Sequence, residues 1–155
     1  MAGAADDVSR IAAAWRELRR GAAMTALQER MKGEVGLDLG QRDTLDVLVT
    51  TEGCRMSELA DALRVDASTA TRAVARLVDA GLAERVTCSH DARAVRVHPT
   101  AEGRRLNAEL VANRRTGMEE LLAGFTRAER RALADGMEKL VAALDAMVAD
   151  EHVSA

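Results

Sequence analysis

The chain of 155 residues reads as a mainly helical α+β protein, with six helices and one β-hairpin inserted between the fourth and the fifth. Two observations predict this class. Alanine occurs 31 times and leucine 17, whereas Ile, Phe, Tyr and Trp together supply only Ile11, Trp15 and Phe125. Unbranched side chains lose little rotamer freedom in a helix, while strands draw on β-branched and aromatic residues. The apolar residues also recur at helical spacing except between Leu82 and His98, where two short valine-bearing runs flank a polar stretch. A chain of this length can bury a proper core as one domain, with or without a helical extension.

Residues 6–32, free of proline, form one long helix whose apolar face changes side near Gly21. Ile11, Trp15, Leu18 and Ala22 make one stripe, and Leu27, Met31 and Val35 continue on nearly the opposite side. Two apolar faces along one helix imply two bodies to pack against, and hence an interface beyond a monomeric core. Residues 33–40 are a connection. Residues 41–51 form a second helix that buries Leu45, Leu48 and Val49 and closes at Glu52-Gly53, where glycine suits a left-handed end. Ser57 is placed to cap a third helix, 57–63, and Asp66 a fourth, 67–80, which stops at Gly81. Residues 82–87 and 94–98, bearing Val86, Val95 and Val97, are the strands of a hairpin with a long polar tip. Pro99 and Thr100 end it and open a fifth helix, 100–124, and Thr126 caps a sixth, 126–150. In that last helix Leu133, Met137, Leu140, Leu144 and Met147 alternate four and three residues apart, a narrow coiled-coil seam with Val141 and Val148 beside it.

Composition removes several functions. Two aromatic rings cannot stack successive bases, which excludes the usual single-stranded nucleic-acid platforms and leaves duplex DNA open. Cys54 and Cys88 are too few for a disulfide framework and fit a reducing cytoplasm. The first residues carry acids where a signal peptide would be basic and then apolar, and no apolar stretch approaches membrane-spanning length, so a soluble cytoplasmic protein is expected. The net charge of −3 divides unevenly: residues 1–63 carry 8 basic and 11 acidic groups, residues 64–105 carry 8 and 5, and residues 106–155 carry 6 and 9. A basic middle between acidic ends places an anion-binding region in the centre of the chain.

That centre has the plan of a winged helix-turn-helix: two short helices joined by Arg64-Val65-Asp66, then a hairpin. Leu59, Ala60, Leu63, Val65, Ala70 and Val74 are apolar where two steeply crossing helices must touch, and Ala60 and Ala70 are small where the backbones come closest. Ala70, Ala73, Val74, Leu77 and Val78 form the buried stripe of helix 67–80, which leaves Ser68, Thr69, Thr71, Arg72 and Arg76 outside or at its margins. Such residues suit a major-groove helix: arginine donates two parallel hydrogen bonds to guanine O6 and N7, and small hydroxyls reach base edges, thymine methyls or phosphates. The hairpin tip carries Arg93 toward the adjacent minor groove, where phosphates on both walls attract a guanidinium, with Arg96 assisting from the strand.

The run Leu77-Val78-Asp79-Ala80-Gly81-Leu82-Ala83-Glu84-Arg85, followed by Asp91-Ala92-Arg93, Val97, Thr100 and Gly103, resembles the signature of the multiple antibiotic resistance regulator (MarR) family over nearly the whole chain. Pro99 departs from it, standing where the family has leucine. The resemblance implies a homodimeric transcription regulator, usually a repressor, that binds palindromic DNA and is released by a small phenolic or anionic effector or by thiol oxidation. It implies a wing-tip role for Arg93, wing support by Asp91 and Arg85, and a recognition helix from Ser68 to Arg76. It also divides the chain into a dimerisation helix and connection (1–40), a DNA-binding domain (41–99) and C-terminal dimerisation helices (100–155). Two lobes on a two-fold axis would then read half-sites about 10 bp apart.

Other chemistries stand beside this reading. Trp15 is either interface packing or, with Arg19 or Arg20 nearby, the wall of an effector pocket. Cys88-Ser89-His90-Asp91 holds a nucleophile, a base and an acid, but adjacency in sequence is the wrong geometry for groups that must converge from separate elements. Cys54, Cys88, His90 and His98 lack tight metal-ligand spacing, so neither a metal nor a cofactor is expected. A winged helix used only for protein binding and a thiol-based redox-sensing regulator are the alternative functions.

Overall fold

The computed structural model describes residues 2–32, 36–88 and 91–153, with the side chains of residues 6–21, 24–29, 36–87 and 95–147. Seven helices and three strands occur among them, in the order α1 (Ala2–Arg20), α2 (Ala22–Lys32), α3 (Leu39–Thr50), β1 (Cys54–Arg55), α4 (Met56–Leu63), α5 (Ala67–Asp79), β2 (Ala83–Cys88), β3 (Asp91–Pro99), α6 (Ala101–Leu121) and α7 (Arg127–Val153). The fold is mainly helical, as expected, with one helix and one strand more than the sequence reading. Two units divide the chain, residues 1–117 and 118–155.

The extra helix arises where the apolar face switches. Gly21 interrupts the long first helix, and Met24 N–H bonds back to its carbonyl at 3.1 Å as α2 begins; glycine is among the poorest helix formers and yields there first. The extra strand, β1, is two residues long. Cys54 and Arg55 pair antiparallel with Val97 and Arg96, giving a three-stranded sheet in the order β1-β3-β2. This pairing also corrects the expected cap of α4. The helix starts at Met56 with Arg55 at the cap position, whose N–H donates to Glu58 Oε2 at 2.8 Å, so Ser57 lies inside the first turn.

The other caps follow the sequence. Asp66 opens α5 by accepting from Thr69 N–H at 2.8 Å. Thr100 Oγ1 accepts from Gly103 N–H at 3.0 Å and donates to the Gly81 carbonyl at 2.8 Å, tying the start of α6 to the turn after α5. Thr126 and Glu129 cap α7 reciprocally, with Thr126 N–H on Glu129 Oε2 at 2.8 Å and Glu129 N–H on Thr126 Oγ1 at 3.3 Å.

One apolar core holds α3 to α6 and the sheet together within residues 1–117. Leu45 and Leu48 of α3, Leu59 of α4, Val74 and Leu77 of α5, and Val97 of β3 are fully buried, with Leu37, Leu82 and Leu110 closing its sides. Each such leucine removed from water contributes about 1.5–3 kcal/mol. Ala60 and Ala70 are buried, as the crossing of α4 and α5 requires, but Val65 is 38% exposed: the turn carries it outward. Helix α4 ends on Arg64, which takes the left-handed conformation (φ 54°) more often given to glycine. Gly103 lets α6 approach the turn before β2 closely, since a Cβ there would run into the Leu82 carbonyl oxygen.

In the unit 118–155, α7 presents Leu133, Met137, Leu140, Val141, Leu144 and Met147, all at least 36% exposed. The same holds for Val8, Ile11, Trp15 and Leu18 on α1. The side chains of Ala22, Met31, Val35 and Val148 fall outside the described residues.

Candidate nucleic-acid interface

Helix α5 is held by its inner face and offers its outer one. Ala70, Ala73, Val74 and Leu77 are buried, and Ser68, Thr71, Arg72 and Arg76 point outward, with Thr69 half-buried at the margin. Asp66 organises the first turn. Ser68 Oγ donates to its Oδ1 at 2.5 Å, Thr69 Oγ1 donates to its Oδ2 at 2.7 Å, and Thr69 N–H completes the set. These bonds, the Ser68 hydroxyl first, hold the Asp66 carboxyl far below the usual carboxylate range. Thr71 Oγ1 donates back to the Ala67 carbonyl at 2.7 Å.

Each of the three hydroxyls spends its one hydrogen on the protein and is left with oxygen lone pairs as an acceptor, that of Thr69 already taking one bond from Arg72. Acceptors of this kind match the amino groups of cytosine and adenine in the major groove, and the Thr71 methyl matches the thymine methyl. Donors come from the arginines. Arg72 Nη2 reaches Thr69 Oγ1 at 3.1 Å, and Arg76 Nη1 lies 3.3 Å from Asp38 Oδ2.

Strands β2 and β3 pair from Ala83–Pro99 to Cys88–Asp91, with a register shift between Thr87 and Cys88. Arg96 is half-buried and donates from Nη2 to the Gly53 carbonyl at 2.8 Å, while His98 Nδ1 lies 3.0 Å from the Glu52 carbonyl. Both side chains fasten β3 to the turn after α3, where Glu52 and Gly53 have positive φ. Arg85 is exposed on β2 opposite Val97. Asp91 and Arg93 belong to β3, but their side chains, like that of Cys88, lie outside the described residues, as do Ser89 and His90 altogether.

Trp15 and Arg19 are both exposed on α1. A separate groove is lined by Gln28 of α2, Leu39, Arg42 and Asp43 of α3, and Leu110 and Arg114 of α6. Burial raises the pKa of Asp43, with Arg114 opposing. On α6 Asn107, nearly fully buried, donates to Asp46 Oδ1 at 3.2 Å, and its own Oδ1 accepts from none of the described groups. Arg42 and Arg114 escaped the sequence reading because only the packing of α3 on α6 brings them together. Asp38 escaped it too, although Asp38-Leu39-Gly40-Gln41 is a capping-box pattern visible in the sequence.

Cys54 is buried, and burial pushes its thiol pKa up. No metal-binding cluster of His, Cys, Asp or Glu occurs among the described residues. No described helix is long and apolar enough to cross a membrane.

Residues 35–94 match the sequence model of the MarR family. Among solved structures, the chain is similar to a MarR family transcription regulator at 28% identity, over 100% of this chain and 99% of that one, with a TM-score of 0.79. It shares its fold with FabT of Streptococcus pneumoniae, solved in complex with DNA (20% identity, 90% of this chain and 99% of that one, TM-score 0.77). It also shares it with BpsR of Bordetella bronchiseptica, whose DNA binding is regulated by 6-hydroxynicotinic acid (22%, 85% and 98%, 0.69). No curated protein matches the sequence significantly. The buried helix-turn-helix with a paired wing and the family match across that segment agree: residues 35–94 carry the winged helix-turn-helix of the MarR family of transcriptional regulators, which is not a family of enzymes, and the whole chain shares the fold of a MarR family regulator.

Proposed function

We propose that the protein is a cytoplasmic repressor that binds a palindromic operator as a homodimer and leaves it when a small anionic or phenolic effector binds. The observation that carries this is the outer face of α5, where Arg72 and Arg76 supply donors and Ser68, Thr69 and Thr71 supply oriented acceptors on a helix anchored by four buried side chains. Arg93 enters the minor groove, Asp91 and Arg85 support the wing, and Arg96 acts from β3. FabT, which has this fold, has been solved on DNA, and that supports the docking.

The dimer is supported by apolar stripes on α1 and α7 that the single chain leaves exposed. Residues 1–40 and 100–155 supply that interface and residues 41–99 the reading lobe. Effector control is supported by BpsR, which responds to a hydroxylated aromatic acid, and by the Arg42 and Arg114 groove, whose two guanidinium groups suit a carboxylate. Trp15 and Arg19 on α1 are the second place where such an acid would meet a ring and a cation.

The test is a titration of labelled DNA from upstream of the protein's own gene at several salt concentrations. Tight binding, a steep loss with salt and weak binding to scrambled DNA are expected. Equal affinity for both DNAs would overturn the reading.

A further inference from the structure

We infer that Asp38, on the connection into α3, withholds Arg76 from DNA in the free protein and thereby sets the affinity of the reading helix; this rests on Arg76 being a DNA contact, as proposed above. The two carboxylate oxygens of Asp38 have separate tasks. Oδ1 accepts from Gln41 N–H at 2.8 Å and caps α3, while Oδ2 faces Arg76 Nη1 at 3.3 Å.

The cap makes Asp38 the fixed member of the pair. Its own N–H donates to Gln41 Oε1 at 3.0 Å, and its carbonyl accepts from Arg42 N–H at 3.0 Å. Arg42 Nε holds the preceding carbonyl, that of buried Leu37, at 3.1 Å. Arg76, by contrast, is a long side chain near the end of α5 and can turn away. Both partners are about half exposed, at 55% and 49%, so the pair sits in a high dielectric where a phosphate or a guanine edge can displace it. Asp38 and the DNA compete for one guanidinium, and every gain on the DNA side is reduced by the bond given up on the other.

A fixed acid near DNA also repels phosphates without touching Arg76, so the experiment must separate the two effects. The full-length protein is titrated into the upstream DNA fragment as wild type, Asp38→Asn, Asp38→Ser, Arg76→Gln and the two double variants. Asn and Ser both cap helices; Asn lacks the charge and Ser is too short to reach Arg76. Each Asp38 variant is expected to bind the specific DNA about 2–5-fold more tightly than wild type, the range of an exposed ion pair. That gain should vanish in the Arg76→Gln background. The same gain with Arg76 absent would show that Asp38 acts as a plain repelling charge and would overturn the inference, as would no gain or a loss. Wild-type protein that fails to prefer its upstream DNA would instead overturn the functional reading, and this inference with it.

Discussion

The reading lobe and the helical ends are built from similar residues at the same periodicity, yet one is sealed and the other is not. Leu45, Leu48, Leu59, Val74, Leu77 and Val97 have no exposure in the lobe, whereas Ile11 is 62% exposed on α1 and Met147 66% on α7. An apolar stripe identifies the face that must be covered and says nothing about which chain covers it. The lobe closes on itself because three helices and a sheet meet at one point. The stripes on α1 and α7 stay open within one chain, as the surfaces of a dimer would.

That contrast predicts two kinds of instability. Leu77→Ala removes a buried side chain from the last turn of α5 and should cost about 2–5 kcal/mol, lowering chemical stability by the same amount at every protein concentration. Leu144→Glu puts a charge in the α7 seam. It should raise the dimer dissociation constant at least tenfold, since about 1.5–3 kcal/mol is lost for each buried leucine, while the helical content of the lobe persists. Sedimentation across a concentration series separates the two; a Leu144→Glu protein that sediments like wild type would leave the open stripe without a partner.

A smaller effect distinguishes the first turn of α5. The Asp66 carboxyl is depressed in the fold, so its contribution to stability is fully present above its unfolded value of about 3.9 and is lost as pH falls through the lower folded value. Asp66→Asn keeps one capping oxygen but loses the charge, so its melting temperature should lie below wild type near neutral pH and approach it in acid. Below about pH 4 it should fall less steeply. Identical acid limbs for the two proteins would mean that Asp66 is not held ionised by Ser68 and Thr69.

What the sequence disclosed and what it hid divide by range. The stripe of α5 and the caps Asp66, Thr100 and Thr126 are local patterns, and each is visible in the sequence and present in the fold. Strand β1 was hidden because two residues carry no period, and its existence depends on β3 arriving alongside. Its formation also moved the cap of α4 from Ser57 to Arg55. The break at Gly21 was half legible, since the change of face marked the place but not its outcome. Arg96 reads in the sequence as assisting the wing from its strand, and only the fold shows it bonded to the Gly53 carbonyl. The Asp38–Arg76 pair and the Arg42 and Arg114 groove depend wholly on tertiary packing.

We propose that α5 reads DNA while the helical ends only assemble the dimer. Replacing Arg72 and Arg76 together by alanine, and measuring affinity for upstream against scrambled DNA alongside the molecular mass in solution, tests it most directly. The preference for upstream DNA should collapse, by about 1–3 kcal/mol for each bidentate arginine–guanine pair removed, with dimer mass and helicity unchanged. Full retention of that preference by the double variant would contradict it.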